Sequence, residues 1–112
     1  MSKNTPPIKR NALKALLEEL FSRSSVSSFL LSSHVQQRMR ERRITLPEIH
    51  SVLLRGKIIK EHPPKGFEAP DWRWEKIYQG ITVIFKVTSL NSLPSVHLIT
   101  CWRGNKPAGE II

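Results

Sequence analysis

The chain has 112 residues, 39% hydrophobic and 24% charged, the size and composition of one ordinary globular domain. Eighteen Lys and Arg stand against nine Asp and Glu, a net charge of +9, so an acidic partner is expected: nucleic acid first, then an acidic protein, then a membrane surface. The single cysteine, Cys101, excludes an internal disulfide and a thiolate metal cluster, and no cleavable signal or membrane-length apolar run is visible.

Residues 1–33, 34–60 and 61–112 carry net charges of +3, +5 and +1. The cationic excess is thus gathered in the second quarter of the chain, as a localised basic surface requires.

Ile8 to Ser22 places Ile8, Leu13, Leu16, Leu17, Leu20 and Phe21 on one helical stripe. Ser22 to Ser28 holds five serines in seven residues, a break or short linker. A second helix is expected from Val26 or Ser33 to Arg43. A third runs from Leu46 to Arg55, because Thr45-Leu46-Pro47-Glu48 has the capping-box pattern and Gly56 is a natural stop.

After Gly56 the period becomes extended. Lys57 to Glu61, Trp72 to Gln79, Ile81 to Thr88 and Val96 to Arg103 read as strands. The chain is therefore expected to be α+β, with two or three N-terminal helices packed on an antiparallel sheet of about four strands. Residues 1–32 read as a helical extension and Ser-rich linker, 33–103 as the α+β domain, and 104–112 as a loose tail whose apolar end can dock or form an edge strand.

On the second helix His34, Arg38 and Glu41 share a face. Together they can move a proton (His34), clamp a phosphate (Arg38) and fix the imidazole tautomer or pair an arginine (Glu41). On these three residues alone, a solvated face with an ordinary Glu–Arg pair is the better reading. Arg40, Arg42 and Arg43 continue the helix on other faces and read as a backbone-binding patch, the alternative being a merely solvated basic surface. Lys57 and Lys60 fall on opposite strand faces, so only one joins it. Lys86 lies on the more open face of its strand. Trp72, Trp74 and Tyr78 flank Lys76 and can stack a base, although core packing is the commoner use of tryptophan. Val96, Leu98, Thr100 and Trp102 alternate with His97, Ile99, Cys101 and Arg103, an assignment that a single bulge would exchange. The candidate nucleic-acid surface is Arg40, Arg42, Arg43, Lys60, Lys76, Lys86 and Trp102. His50 and His62 have no partner at metal-ligand spacing, and phosphate-cradling glycine loops are absent, so neither a metal nor a nucleotide cofactor is expected.

The run from His34 through Arg38 and Glu41-Arg42 to Ile44, followed by Gly56-Lys-Ile-Ile, Trp74-Glu-Lys-Ile-Tyr, Ile81-Thr-Val-Ile-Phe and Val96-His-Leu-Ile-Thr100-Cys-Trp102, resembles the bacterial domain of unknown function numbered four-two-five-eight. The likeness covers about residues 33 to 103. It implies kinship with RelE-like and colicin-like ribonuclease toxins, small proteins with helices on a curved antiparallel sheet. The activity it implies is metal-independent RNA cleavage by 2′-hydroxyl attack on the adjacent phosphate, with His34, Arg38 and Thr100 at matching positions. It further implies RNA as substrate and an acidic antitoxin or immunity protein as partner, while the lack of a recognisable signal or membrane-length run leads us to expect the cytoplasm of the producing or a target cell. The alternative is a non-catalytic basic module that binds nucleic acid or protein.

Overall fold

The computed structural model describes residues 5–22, 29–68, 71–90, 93–110 and 112. In chain order its elements are α1 (Arg10–Ser22), β1 (Phe29–Leu31), α2 (Ser33–Arg42), α3 (Leu46–Arg55), β2 (Lys57–His62), β3 (Arg73–Tyr78), β4 (Ile81–Leu90) and β5 (Leu93–Arg103). The strands form one open sheet in the order β1-β5-β4-β3-β2. Among the described residues no helix is long and apolar enough to cross a membrane.

The α+β expectation holds, and the expected four-stranded antiparallel sheet is corrected to a five-stranded mixed one. The added strand is β1, whose Phe29, Leu30 and Leu31 run parallel to Val96, His97 and Leu98 of β5. Three residues carry too little alternation to show as a strand. The segment expected as a separate extension thus supplies both a strand of the sheet and α1, whose Leu13, Leu17 and Leu20 are buried in the common core. A helix start at Val26 lies outside the described residues; α2 begins at Ser33, capped by the Ser32 hydroxyl accepting from the Val35 amide.

At α3 local chemistry and tertiary structure agree. Thr45 and Glu48 close a reciprocal capping box with Pro in the first turn, which satisfies otherwise orphaned amides. The helix buries Ile49, Val52 and Leu53. These meet Leu13, Leu17 and Leu20 from above and Trp74, Val83, Phe85, Leu98 and Cys101 from the sheet in one continuous core. His50 joins the rim, its ring 5.0 Å from that of Phe21 and 5.4 Å from that of Phe29.

Two bulges set which side chains face the helices. Ile99 has no register partner, since Ile84 pairs with Thr100 and Phe85 with Leu98. Side chains directly opposite share a face, so Val96, Leu98 and Cys101 lie with the helix-facing Val83, Phe85 and Val87, whereas Thr100 and Trp102 lie with Ile84 and Thr82 on the opposite face. The expected alternation is exchanged at that point. On β2 Ile59 is likewise unpaired, with Ile58 opposite Lys76 and Lys60 opposite Glu75. Lys57 and Lys60 therefore share one face rather than pointing to opposite ones.

The face away from the helices is also covered. After β5 the chain turns at Gly104, whose amide donates to the Gly80 carbonyl at 2.9 Å. It then crosses the sheet, with Glu110 meeting Thr100 of β5 and the Ile112 carbonyl accepting from Arg73 of β3. Ile84, Thr82, Thr100 and Trp102 are consequently buried. The tail, expected to be loose unless its apolar end docks, is held both at the Glu110 carboxylate and at the Ile112 main chain.

Gly56, between α3 and β2, has an ordinary φ of −70°, so its requirement is steric. A Cβ there would sit 2.4 Å from the Val52 carbonyl oxygen and 2.8 Å from that of Ile77. Both obstacles are backbone and cannot swing aside. Gly56→Ala should cost about 2 kcal/mol, roughly 10 °C in melting temperature. Gly66→Ala, with φ +79° and open space around it, should cost roughly 1 kcal/mol from conformation alone. Equal thermal melts for the two variants would contradict this.

Candidate functional site

Helical spacing places Arg38 and Arg42 one turn apart on α2, and α2 packs along β5 beyond the short stretch that β1 covers. There the Cys101 carbonyl accepts from Arg42 Nη1 at 2.7 Å. The guanidinium thus takes the place of a neighbouring strand's donor. Arg42 Nη2 donates to Oε1 of Glu110 at 2.5 Å. Thr100 Oγ1 donates to Oε2 of the same carboxylate at 2.5 Å, and Arg38 Nε stands 3.9 Å from that oxygen. Two cations from one helix and a hydroxyl from the sheet therefore converge on one carboxylate whose side chain is 3% exposed.

Burial raises the Glu110 pKa. The hydrogen bonds from Arg42 and Thr100 and the charges of Arg42 and Arg38 outweigh that effect, so the carboxyl is held below its ordinary 4.5. Arg38 also donates to Glu41 Oε1 at 2.8 Å, and Gln37 donates to Glu41 Oε2 at 3.1 Å. These bonds lower the exposed Glu41 carboxyl, the one from Arg38 most.

Of the four residues expected to act chemically, Arg38, Glu41 and Thr100 surround this site. His34 is exposed on the same α2 stripe, a turn before Arg38; it makes no hydrogen bond to Glu41, which pairs Arg38 instead. Arg40 and Arg43 are exposed, and Arg40 borders an open, mainly apolar hollow of about 250 Å³ with Leu31, Met39 and Leu46. Arg42, expected as a backbone contact, belongs to the pocket itself.

Two candidates of the nucleic-acid surface, Lys76 and Trp102, are corrected by packing. Lys76 is 2% exposed, and its Nζ donates to the Leu53 carbonyl at 2.6 Å, closing an unsatisfied last-turn carbonyl of α3. Burial, then the Lys14 charge, lowers its pKa. Trp102 is 3% exposed, and Trp74 belongs to the core, so neither offers a ring to a base. Lys86 is paired with Asp71 at 2.9 Å. Lys60 is exposed. The large aromatic that does face solvent is Phe67, in the 3₁₀ turn Gly66–Glu68.

The His62–Glu75 contact, 2.8 Å and largely buried, was not visible in the sequence, because it forms across the register of β2 and β3. Glu110 was missed for a similar reason: nothing local marks one acid in a nine-residue tail. Cys101 is no nucleophile, since burial pushes its thiol up to about 11. Among the described residues no cluster of His, Cys, Asp and Glu is arranged to hold a metal ion.

Residues 31–102 match a family described as a domain of unknown function, DUF4258. No curated protein and no solved structure matches the chain. The matched segment contains His34, Arg38, Arg42 and Thr100, while Glu110 lies beyond it.

Removing Arg42 strands a buried carboxylate, so Arg42→Ala should cost about 3 kcal/mol, against at most about 0.5 kcal/mol for the exposed Arg40→Ala. Adding Glu110→Gln to Arg42→Ala should restore part of the loss, as coupled neighbours require. Because the folded pKa of Glu110 is depressed, its stabilisation is present above the ordinary 4.5 and is lost as pH falls through the lower folded value. The stability gap between wild type and Glu110→Gln, followed by denaturant melts, should shrink in acid; a gap constant with pH would refute the ion pair.

Proposed function

This chain belongs to the DUF4258 family, and from that premise we propose that it is a metal-independent endoribonuclease that seats an RNA phosphodiester between Arg38, Arg42 and Thr100. The observation that carries the reading is the convergence of Arg42 and Thr100 on Glu110, with Arg38 beside them. Two guanidinium groups and a hydroxyl around one two-oxygen anion make a frame that suits phosphate oxygens.

The reaction joins the ribose 2′-oxygen to the adjacent phosphorus and breaks the bond to the 5′-oxygen, leaving a cyclic phosphate and a free 5′-hydroxyl. Arg38 and Arg42 balance the charge that builds on the non-bridging oxygens, and Thr100 orients one of them. His34, about 6 Å along the helix axis from Arg38 and open to solvent, accepts the 2′-hydroxyl proton or supplies one to the leaving oxygen. Glu41 positions Arg38 through their 2.8 Å contact. Exposed Arg40, Arg43 and Lys60 hold the flanking backbone, and Phe67 is available to stack a base. The RelE-like and colicin-like kinship, a toxin role, an acidic antitoxin or immunity protein and cytoplasmic action belong to this proposal. They are supported by the family resemblance and the basic surface.

A specific observation favours the second reading, a non-catalytic binding module: among the described residues nothing hydrogen-bonds the His34 ring to fix its tautomer. The two separate in one assay of RNA cleavage by purified protein in EDTA. The nuclease reading expects cleavage that falls at least about 100-fold in His34→Ala and in Arg38→Ala, with the double variant little worse than the poorer single one. Arg38→Lys should rescue poorly, because an ammonium lacks the two-pronged contact. Salt-dependent binding without cleavage selects the module, and variants of unchanged melting temperature that cleave at wild-type rate remove α2 from the active site.

A further inference from the structure

We propose that the tail following β5 is a built-in plug: Glu110 occupies, as an intramolecular anion, the place an RNA phosphodiester takes, so that the pocket opens only when the tail leaves it. The inference rests on the anion-site reading above and adds its regulation.

The fit is close but incomplete. A carboxylate and a phosphodiester are both monoanions presenting two equivalent oxygens. In Glu110 each oxygen has a close donor, Arg42 on Oε1 and Thr100 on Oε2. Arg38 Nε is nevertheless buried with no hydrogen-bond partner, left 3.9 Å from Oε2. A buried donor without an acceptor is costly. The tetrahedral phosphate, with two ester oxygens besides the two charged ones, can offer the acceptor that a planar carboxylate lacks. The tail therefore satisfies the pocket less fully than the ligand it stands in for, as a displaceable plug must.

The tail is also built to leave. Gly104, Asn105, Lys106, Ala108 and Gly109 are exposed. Its own fold is a single turn in which the Glu110 amide donates to the Pro107 carbonyl at 3.2 Å, with Gly109 at φ +76°. Its other described ties to the body are the Gly104–Gly80 bond and the Ile112 carbonyl on Arg73. A segment tied to the body by so few backbone hydrogen bonds can open locally while the rest of the fold stays closed. The cations, by contrast, sit on a helix anchored in the core, within the family-matched segment, while the carboxylate comes from beyond it.

The test measures binding of a fluorescein-labelled, single-stranded 2′-O-methyl RNA, which cannot be cleaved by 2′-hydroxyl attack, to the full chain by fluorescence anisotropy. A site open in one molecule in ten has its apparent dissociation constant raised about tenfold. Glu110→Gln should therefore bind about tenfold tighter than wild type. Gly109→Ala, which strains the turn in open space without touching the pocket, should bind several-fold tighter. Arg38→Ala placed on Glu110→Gln should abolish the gain, and Glu61→Gln, the same charge change on β2, should not reproduce it. Thermal melts confirm that each variant is folded. If Glu110→Gln and Gly109→Ala bind no tighter than wild type while Arg38→Ala still weakens wild-type binding, the plug is overturned and the anion site stands. If Arg38→Ala changes binding in neither background, the anion site fails and the plug with it.

Discussion

The unpaired Ile99 in β5 is the constraint on which the site depends, because strand side chains alternate with period two and one extra residue transfers everything beyond it to the other face. Without it, Thr100 would point among the helices and Cys101 away from them. With it, Cys101 enters the core, and Thr100 is turned toward the face that the tail crosses. The same extra residue lies just past the three-residue ladder with β1, where β5 needs another donor for its backbone. Arg42 supplies it at the Cys101 carbonyl, and that bond fixes one guanidinium beside the Thr100 hydroxyl.

The electrostatics follow from that placement. Two arginines a turn apart, in a segment whose net charge is already +5, repel each other and draw an anion. The competing cost is the desolvation of a carboxylate brought into the gap. Charge-assisted hydrogen bonds from Arg42 and Thr100 decide the balance, leaving Glu110 ionised despite its burial. Arg103 ties the end of β5 to the α2–α3 turn through the Arg43 carbonyl and Glu48, so the helix carrying the cations and the strand carrying the hydroxyl form one frame. The anion is the movable part of that frame, since it alone comes from the tail.

Much of the frame was legible in the sequence where the signal is local. Thr45, Pro47, Glu48 and Gly56 mark the ends of α3 because caps act within one turn, and the odd positions of Ile81–Val87 mark the buried face of β4 because alternation needs no partner. What failed needed a partner. The three residues of β1 acquire meaning only beside β5. Lys57 and Lys60 share a face, and Thr100 parts from Val96 and Leu98, because of bulges, which are properties of strand pairs and leave no local mark in the sequence. Lys76 read as an exposed cation because nothing local shows that its stem spans the core to the last turn of α3. In the site itself, Arg38 is legible from helical spacing and Thr100 from the family resemblance, whereas the place of Arg42 beside Arg38 and that of Glu110, sixty-eight residues from Arg42 in the chain, are not.

The central claim, that Arg38 and Arg42 receive a phosphate, is tested most directly by the side-chain Nε–Hε resonances of the arginines in nitrogen-15 spectra during titration of the full chain with a short 2′-O-methyl RNA. The account predicts saturable shifts at Arg38 and Arg42, largest for the Arg38 Nε–H that has no partner in the free protein, with only small, salt-sensitive shifts at the exposed Arg40 and Arg43. Large shifts at Arg40 and Arg43 with Arg38 and Arg42 unmoved at saturating RNA would contradict it.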